Sequence, residues 1–209
     1  MGRNSAGVKA GTNDGGGQYK GKISHVGSLV EMKDKAMYKA TKEAISRYHA
    51  VMGVRQRNVK LADLGGSAYG VHVTRGGKSE AVYLDRKHFD TGAKNVSREH
   101  AKNYKSGWST STNKPVAHTV THELAHATWN AHMTGANQKA AGKEVNALYK
   151  KWSRDKRKKG YGKDATTNVS EFWAETVTKA VHGKSDKYTK AVKAIAKKYN
   201  CLLYTSDAA

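Results

Sequence analysis

The chain has 209 residues, with 38 Lys or Arg against 17 Asp or Glu, for a formal charge of +21. That excess speaks to partners and solubility, not to fold, and it favours anionic partners over membrane burial. The length suits one domain of about 180 residues with a sizeable core. No run approaches membrane-spanning length and no signal-peptide core opens the chain, so a location in the cytoplasm is expected and no membrane partner.

Residues 1–20, with Gly11, Gly15, Gly16 and Gly17 among polar residues, read as a flexible leader. Residues 21–200 then form the domain. Leu29, Val30, Met32, Met37, Ala40, Ala44, Ile45, Tyr48 and Val51 step at helical spacing and predict one helix ending near Gly53. Two short β-prone runs follow, Tyr69–Thr74 and Glu80–Leu84. Arg75-Gly76-Gly77-Lys78 between them gives a hairpin signal.

A polar loop at 109–113 leads to Pro115, the only proline, which suits a first helical turn. Val116, Val120, Leu124, Ala127 and Ala131 then mark a buried stripe. On this helix lies His122-Glu123-Leu124-Ala125-His126. Residues four apart share a helix face, so His122 and His126 can hold one metal ion. Glu123 stands about 100° round the helix from His122, beside that ion, where it can take a proton from water. HExxH is thus a device for activating water with zinc, most often to cut a peptide bond.

Two residues compete as third ligand. His132 has the spacing of the HExxHxxGxxH pattern, but Trp129 stands where that pattern has its turning glycine. If the helix runs on, His132 points away from the His122/His126 edge. The other candidate is Glu171, in Asn168-Val-Ser-Glu-Phe-Trp-Ala-Glu175. Thr167 or Asn168 can cap a helix there, with Phe172, Trp173, Thr176, Val177, Ala180 and Val181 as its apolar face. Glu171 and Glu175 flank that face, and pairing with an upstream HExxH favours Glu171.

Between these helices a further one is predicted over 138–158, with Val145, Leu148 and Trp152 inward. Its end merges into a basic run of Lys150, Lys151, Arg154, Lys156, Arg157, Lys158, Lys159 and Lys163. This run suits non-specific, salt-dependent binding of nucleic acid or of an acidic protein partner. A last helix is predicted over 186–200, with Tyr188, Val192, Ile195 and Tyr199 in line. Residues 201–209 break that pattern and resemble an adapter-derived, non-native tail. On that reading Cys201 is not native, and the chain proper has neither disulfides nor thiolate ligands. The elements together make an α+β domain.

HTVTHELAHATW (118–129), YG (161–162) and NVSEFWAE (168–175) resemble the zincin metallopeptidases, in particular lethal-factor-like catalytic domains and bacteriophage zincin-like domains. The likeness spans about residues 69–183. It implies a zincin-like fold, a phage or mobile-element setting and zinc hydrolysis of a protein or peptide substrate. It implies His122, His126 and Glu171 as zinc ligands, Glu123 as general base, and Tyr161 as donor to the tetrahedral intermediate. Tyr161-Gly162 stands further from the glutamate helix than in the toxin-like pattern. Glu175 is expected to orient a ligand histidine. In zincins a strand like those of the hairpin borders the cleft and pairs with extended substrate. Two alternatives stand beside this: a virion-associated structural protein with a degenerate site, and a basic protease acting on DNA-bound proteins.

Overall fold

The computed structural model describes residues 21–53, 58–65, 68–75, 78–110, 112, 114–132 and 139–200, the side chains of 74, 75, 78, 79, 130–132, 139 and 200 aside. The expected leader (1–20) and tail (201–209) lie outside the described residues. Among these are four strands, β1 (Ile23–Gly27), β2 (Val59–Leu64), β3 (Gly70–Arg75) and β4 (Lys78–Asp85). Seven α-helices accompany them: α1 (Lys35–Met52), α2 (Arg86–Phe89), α3 (Ala93–Lys105), α4 (Pro115–His132), α5 (Lys139–Arg154), α6 (Val169–His182) and α7 (Lys187–Asn200). The fold is α+β, and no helix is long and apolar enough to cross a membrane.

The sheet runs β1-β2-β4-β3. β1 and β3 pair antiparallel with their neighbours, while β2 and β4 are parallel, a pairing that the chain between them (65–77) is long enough to allow. The hairpin read from sequence is β3–β4, with Arg75 opposite Lys78. Alternation decides which face is which. Leu61, Val82 and Leu84 turn toward the helices, and Ala62, Leu64, Val71, Val73, Ala81 and Tyr83 form a smaller cluster on the other face. β3 is an edge strand, and α4 packs across it.

The single helix expected from Leu29 onward is two elements. Ser28 and Glu31 close a capping box around a 3-10 turn at Leu29–Glu31. Asp34 then caps α1 through the N–H groups of Ala36 and Met37, and its other oxygen accepts from Ala93 N at the start of α3. Apolar spacing continues across that break, which hides it from a periodicity reading. α1 ends at Gly53 in the left-handed region, φ 71°.

α4 and α6 cross at the centre of the core. Trp173 Nε1 donates to Ala125 O at 3.0 Å, and Tyr48 Oη of α1 donates to Leu124 O at 3.1 Å. Both bonds pin α4 on the side away from the sheet. Gly162 is where two loops meet. A Cβ there would lie 1.9 Å from Trp108 O, so only glycine permits Lys163 N to reach Gly107 O and Asp164 N to reach Trp108 O. That pairing ties the approach to α4 to the approach to α6.

Candidate metal centre

α4 begins at Pro115 and keeps helical form through His132, without a turn at Trp129. Trp129 is buried against Trp173. His132, the other candidate third ligand, ends that helix, and its side chain lies outside those described. Asn168, not Thr167, caps α6, accepting from Ser170 N at 2.8 Å and Glu171 N at 3.0 Å. That cap fixes the first turn of α6, so Glu171 faces α4 from its third position.

Three ligand atoms converge there. His122 Nε2 and His126 Nε2 lie 3.0 Å apart, and Glu171 Oε2 is 3.1 Å from the first and 3.3 Å from the second. His126 and Glu171 are fully buried. These residues could hold a metal ion. The hydrogen bonds around them say why they should. His122 Nδ1 lies 2.9 Å from Glu175 Oε1, and a carboxylate can only accept, so Nδ1 carries the hydrogen and Nε2 presents its lone pair. His126 Nδ1 has Ser170 Oγ at 3.1 Å, which leaves its Nε2 for the same centre. Neither oxygen of Glu171 has a hydrogen bond. Two imidazole nitrogens and a carboxylate converging in a buried place call for a positive charge among them, whether a proton or a metal ion.

A second trio, His118, His122 and Glu175, has the same composition. Its carboxylate is already hydrogen-bonded through both oxygens. Glu175 Oε1 receives His118 Nε2 at 3.1 Å as well as His122 Nδ1, and Oε2 accepts from Thr110 N at 2.9 Å. It is a hydrogen-bonded support for His122, whereas the Glu171 trio keeps a carboxylate free to meet a metal ion.

Burial lowers the proton affinity of His122, but Glu171 and Glu175 outweigh it and hold the imidazole well above its usual value. His126 goes the other way, lowered chiefly by burial. Burial raises Glu171, yet the two histidines outweigh it and keep the group below its usual value. Without a metal, a proton on His122 therefore supplies positive charge to the trio. A metal ion bound here would have to displace that proton, so its affinity would rise with pH up to the raised His122 value. About one proton should be released per metal bound at neutral pH, with affinity falling about tenfold for each unit of acidification. Calorimetry in buffers of different ionisation enthalpy measures this release; a release of zero would contradict it.

Glu123 lies beside the trio, 2 % exposed and pressed against β3, where a Cβ on Gly70 would lie 2.5 Å from Glu123 Cγ. Burial pushes its carboxyl up to about 8, which makes it a stronger base. Asp164, seven residues before Glu171, borders the same cavity as His122 and Glu123 and is pushed up to about 7, chiefly by burial.

Tyr161 has partners of its own. Its hydroxyl donates to Asp186 Oδ2 at 3.0 Å, and Lys179 Nζ lies 3.9 Å from its ring centre and 2.7 Å from the same Asp186 oxygen. It belongs to a packing cluster that joins α6 to the start of α7 and is not part of the trio. Sequence reasoning also missed His88, Glu99, His100 and Asp164, all of which line the cavity beside Glu123. His100 sits on a helix too polar to signal burial. The basic run ends along a groove of about 830 Å³ lined by Arg157, Lys158, Lys159, Lys184 and Lys187. Part of that charge is spent internally, as Lys187 pairs with Asp155 at 2.6 Å and Lys158 Nζ donates to Ser153 O at 2.9 Å.

Comparison with known proteins adds no relative: no family model, no curated protein and no solved structure matches the chain.

Proposed function

We propose that the protein is a zinc-dependent metalloendopeptidase of zincin type, with His122, His126 and Glu171 as ligands and Glu123 as general base. The observation that carries this reading is the triangle of two imidazole Nε2 atoms and one carboxylate oxygen, 3.0–3.3 Å on a side. Tetrahedral ligand atoms about 2.0–2.1 Å from zinc stand about 3.3–3.4 Å from one another, so the triangle matches one face of such a site within a few tenths of an ångström. A neutral His pair with one carboxylate also leaves a fourth position open, as catalytic zinc sites do.

Zinc, when bound there, supplies the positive charge that acidifies water and polarises a carbonyl. The chain's own groups do the rest. Glu123 takes a proton from the water whose oxygen attacks the scissile carbonyl carbon. As the C–N bond breaks, Glu123 returns that proton to the leaving amine, and the products are a carboxylic acid and an amine. The high proton affinity that burial gives Glu123 suits a group that must accept and then release a proton. Glu175 holds the His122 ring in orientation. The outer edge of β3 lies alongside and offers backbone groups to an extended substrate. The basic groove provides for an anionic tract of a protein substrate or of nucleic acid, bound through salt-sensitive ion pairs.

The direct test is hydrolysis of a mixture of unstructured peptides. Cleavage should disappear on chelation and return with stoichiometric zinc. Cleavage indifferent to chelators would remove the metal from the mechanism.

A further inference from the structure

The groove at the end of the basic run is strongly one-sided in charge. Six Lys or Arg side chains line it, against the carboxylates of Asp155 and Asp186. Both carboxylates already have partners. Asp155 Oδ2 lies 2.6 Å from Lys187 Nζ and accepts from Tyr188 Oη at 2.7 Å, and Asp186 Oδ2 accepts from Lys179 Nζ at 2.7 Å. Lys158 turns its Nζ onto Trp152 O and Ser153 O. That leaves Lys159 and Lys184, exposed and without an ion pair among the described residues, and Arg157, whose contact with Asp155 is 3.8 Å long. Three like charges around one groove repel one another, and an anionic occupant offsets that repulsion.

The walls distinguish between anionic partners. Single-stranded nucleic acid is held by aromatic faces on which its bases stack, as well as by cations. Tyr188 lines the groove but is 5 % exposed, with Lys187 Nζ 5.0 Å from its ring centre. His182, the one imidazole there, is tied to Thr121 Oγ1 at 2.8 Å. Neither ring is placed to stack a base, whereas Asp or Glu side chains need only the cations.

Position points the same way. Trp108 and Ser109 line the cavity beside Glu123 and Thr112 lines the groove, so one short stretch of chain borders both. Thr110, between them, is fixed by its N–H to Glu175, the carboxylate that holds His122. From Glu171 in the trio to His182 at the groove, α6 advances about 16 Å. An extended chain spans that distance in about five residues.

We infer that the groove is a docking site for an acidic segment of the substrate protein, a run of Asp or Glu at least about five residues from the scissile bond. The inference rests on the peptidase reading, since a chain that is cut has to reach both places.

The test uses the zinc-loaded full chain and one peptide that it cleaves, taken from a mixture of unstructured peptides. That peptide is lengthened, before or after the cut, with a run of Glu or a run of Gln. In one of the two placements the Glu form should have a kcat/KM about tenfold above the Gln form, through KM, and about 0.5 M salt should abolish the difference. A Glu run directly beside the cut should give no such gain. Lys159→Glu combined with Lys184→Glu should erase the advantage while the protein keeps its zinc. Lys159→Arg with Lys184→Arg, which retains both charges, should preserve it. Binding of a fluorescent Glu oligomer and of an oligothymidylate to the same proteins separates peptide from nucleic acid. No advantage of Glu over Gln in either placement overturns the inference and leaves the peptidase reading intact. So does an oligothymidylate that binds more tightly than the Glu oligomer and is released by the Lys159→Glu and Lys184→Glu pair. No cleavage of any peptide by zinc-bearing protein overturns the peptidase reading, and this inference with it.

Discussion

Glu123→Gln should lose about 10²–10⁴-fold in kcat while keeping its metal and its fold. The two effects separate because Glu123 is not one of the three converging residues. Its Oε2 is buried without a partner at the edge of the cavity, and its carbon chain packs against Gly70. Glutamine has nearly the same shape, so packing beside β3 is kept. What disappears is the ability to take a proton: an amide oxygen is far too weak a base to take one from water and return it to an amine. Peptide hydrolysis and zinc content measured on the same preparation check this. Full activity in the variant would sink the mechanism, and loss of zinc would place Glu123 among the ligands.

Glu175→Ala should weaken metal binding by about 10–100-fold, although Glu175 is not placed on the metal. One buried carboxylate anchors three groups: His122 Nδ1, His118 Nε2 and Thr110 N. Burial alone would raise its proton affinity, but the two histidines outweigh that and hold it well below its usual value. Removing it frees the His122 ring to rotate and to change tautomer, so that Nε2 no longer presents a fixed lone pair. It also strands buried donors, at a cost of about 3–5 kcal/mol in stability. Competition with a chromogenic chelator reads the first effect and thermal unfolding of the metal-free protein the second. Unchanged affinity would show that the His122 ring needs no such support.

Much of the domain is legible in the residues because periodicity and caps agree there. α4 through α7 follow apolar stripes closed by Pro115, Asn168 and polar ends, and the β3–β4 hairpin follows from two β-prone runs around a glycine pair. HExxH fixes two of the converging residues by helix geometry alone, and the Asn168 cap brings Glu171 to face them. The cavity wall was hidden for a physical reason. α3 buries only Val96 and His100 along 13 residues, so its polar sequence carries no stripe and gives no hint that His100 faces His118. β1 and β2 are short, and their pairing with each other and with β4 is decided by long-range contacts. The surroundings of Tyr161 were also not legible in its local motif. Its hydroxyl meets Asp186 and its ring meets Lys179, contacts that its neighbours in the chain do not announce.

Zinc content of the purified full chain, set beside Glu171→Ala, tests the central claim most directly. One equivalent in the unaltered protein, lost in Glu171→Ala while its circular dichroism stays native, is the result the geometry of His122, His126 and Glu171 predicts. Folded, unaltered protein that binds no zinc, or a Glu171→Ala variant that keeps a full equivalent, would contradict it.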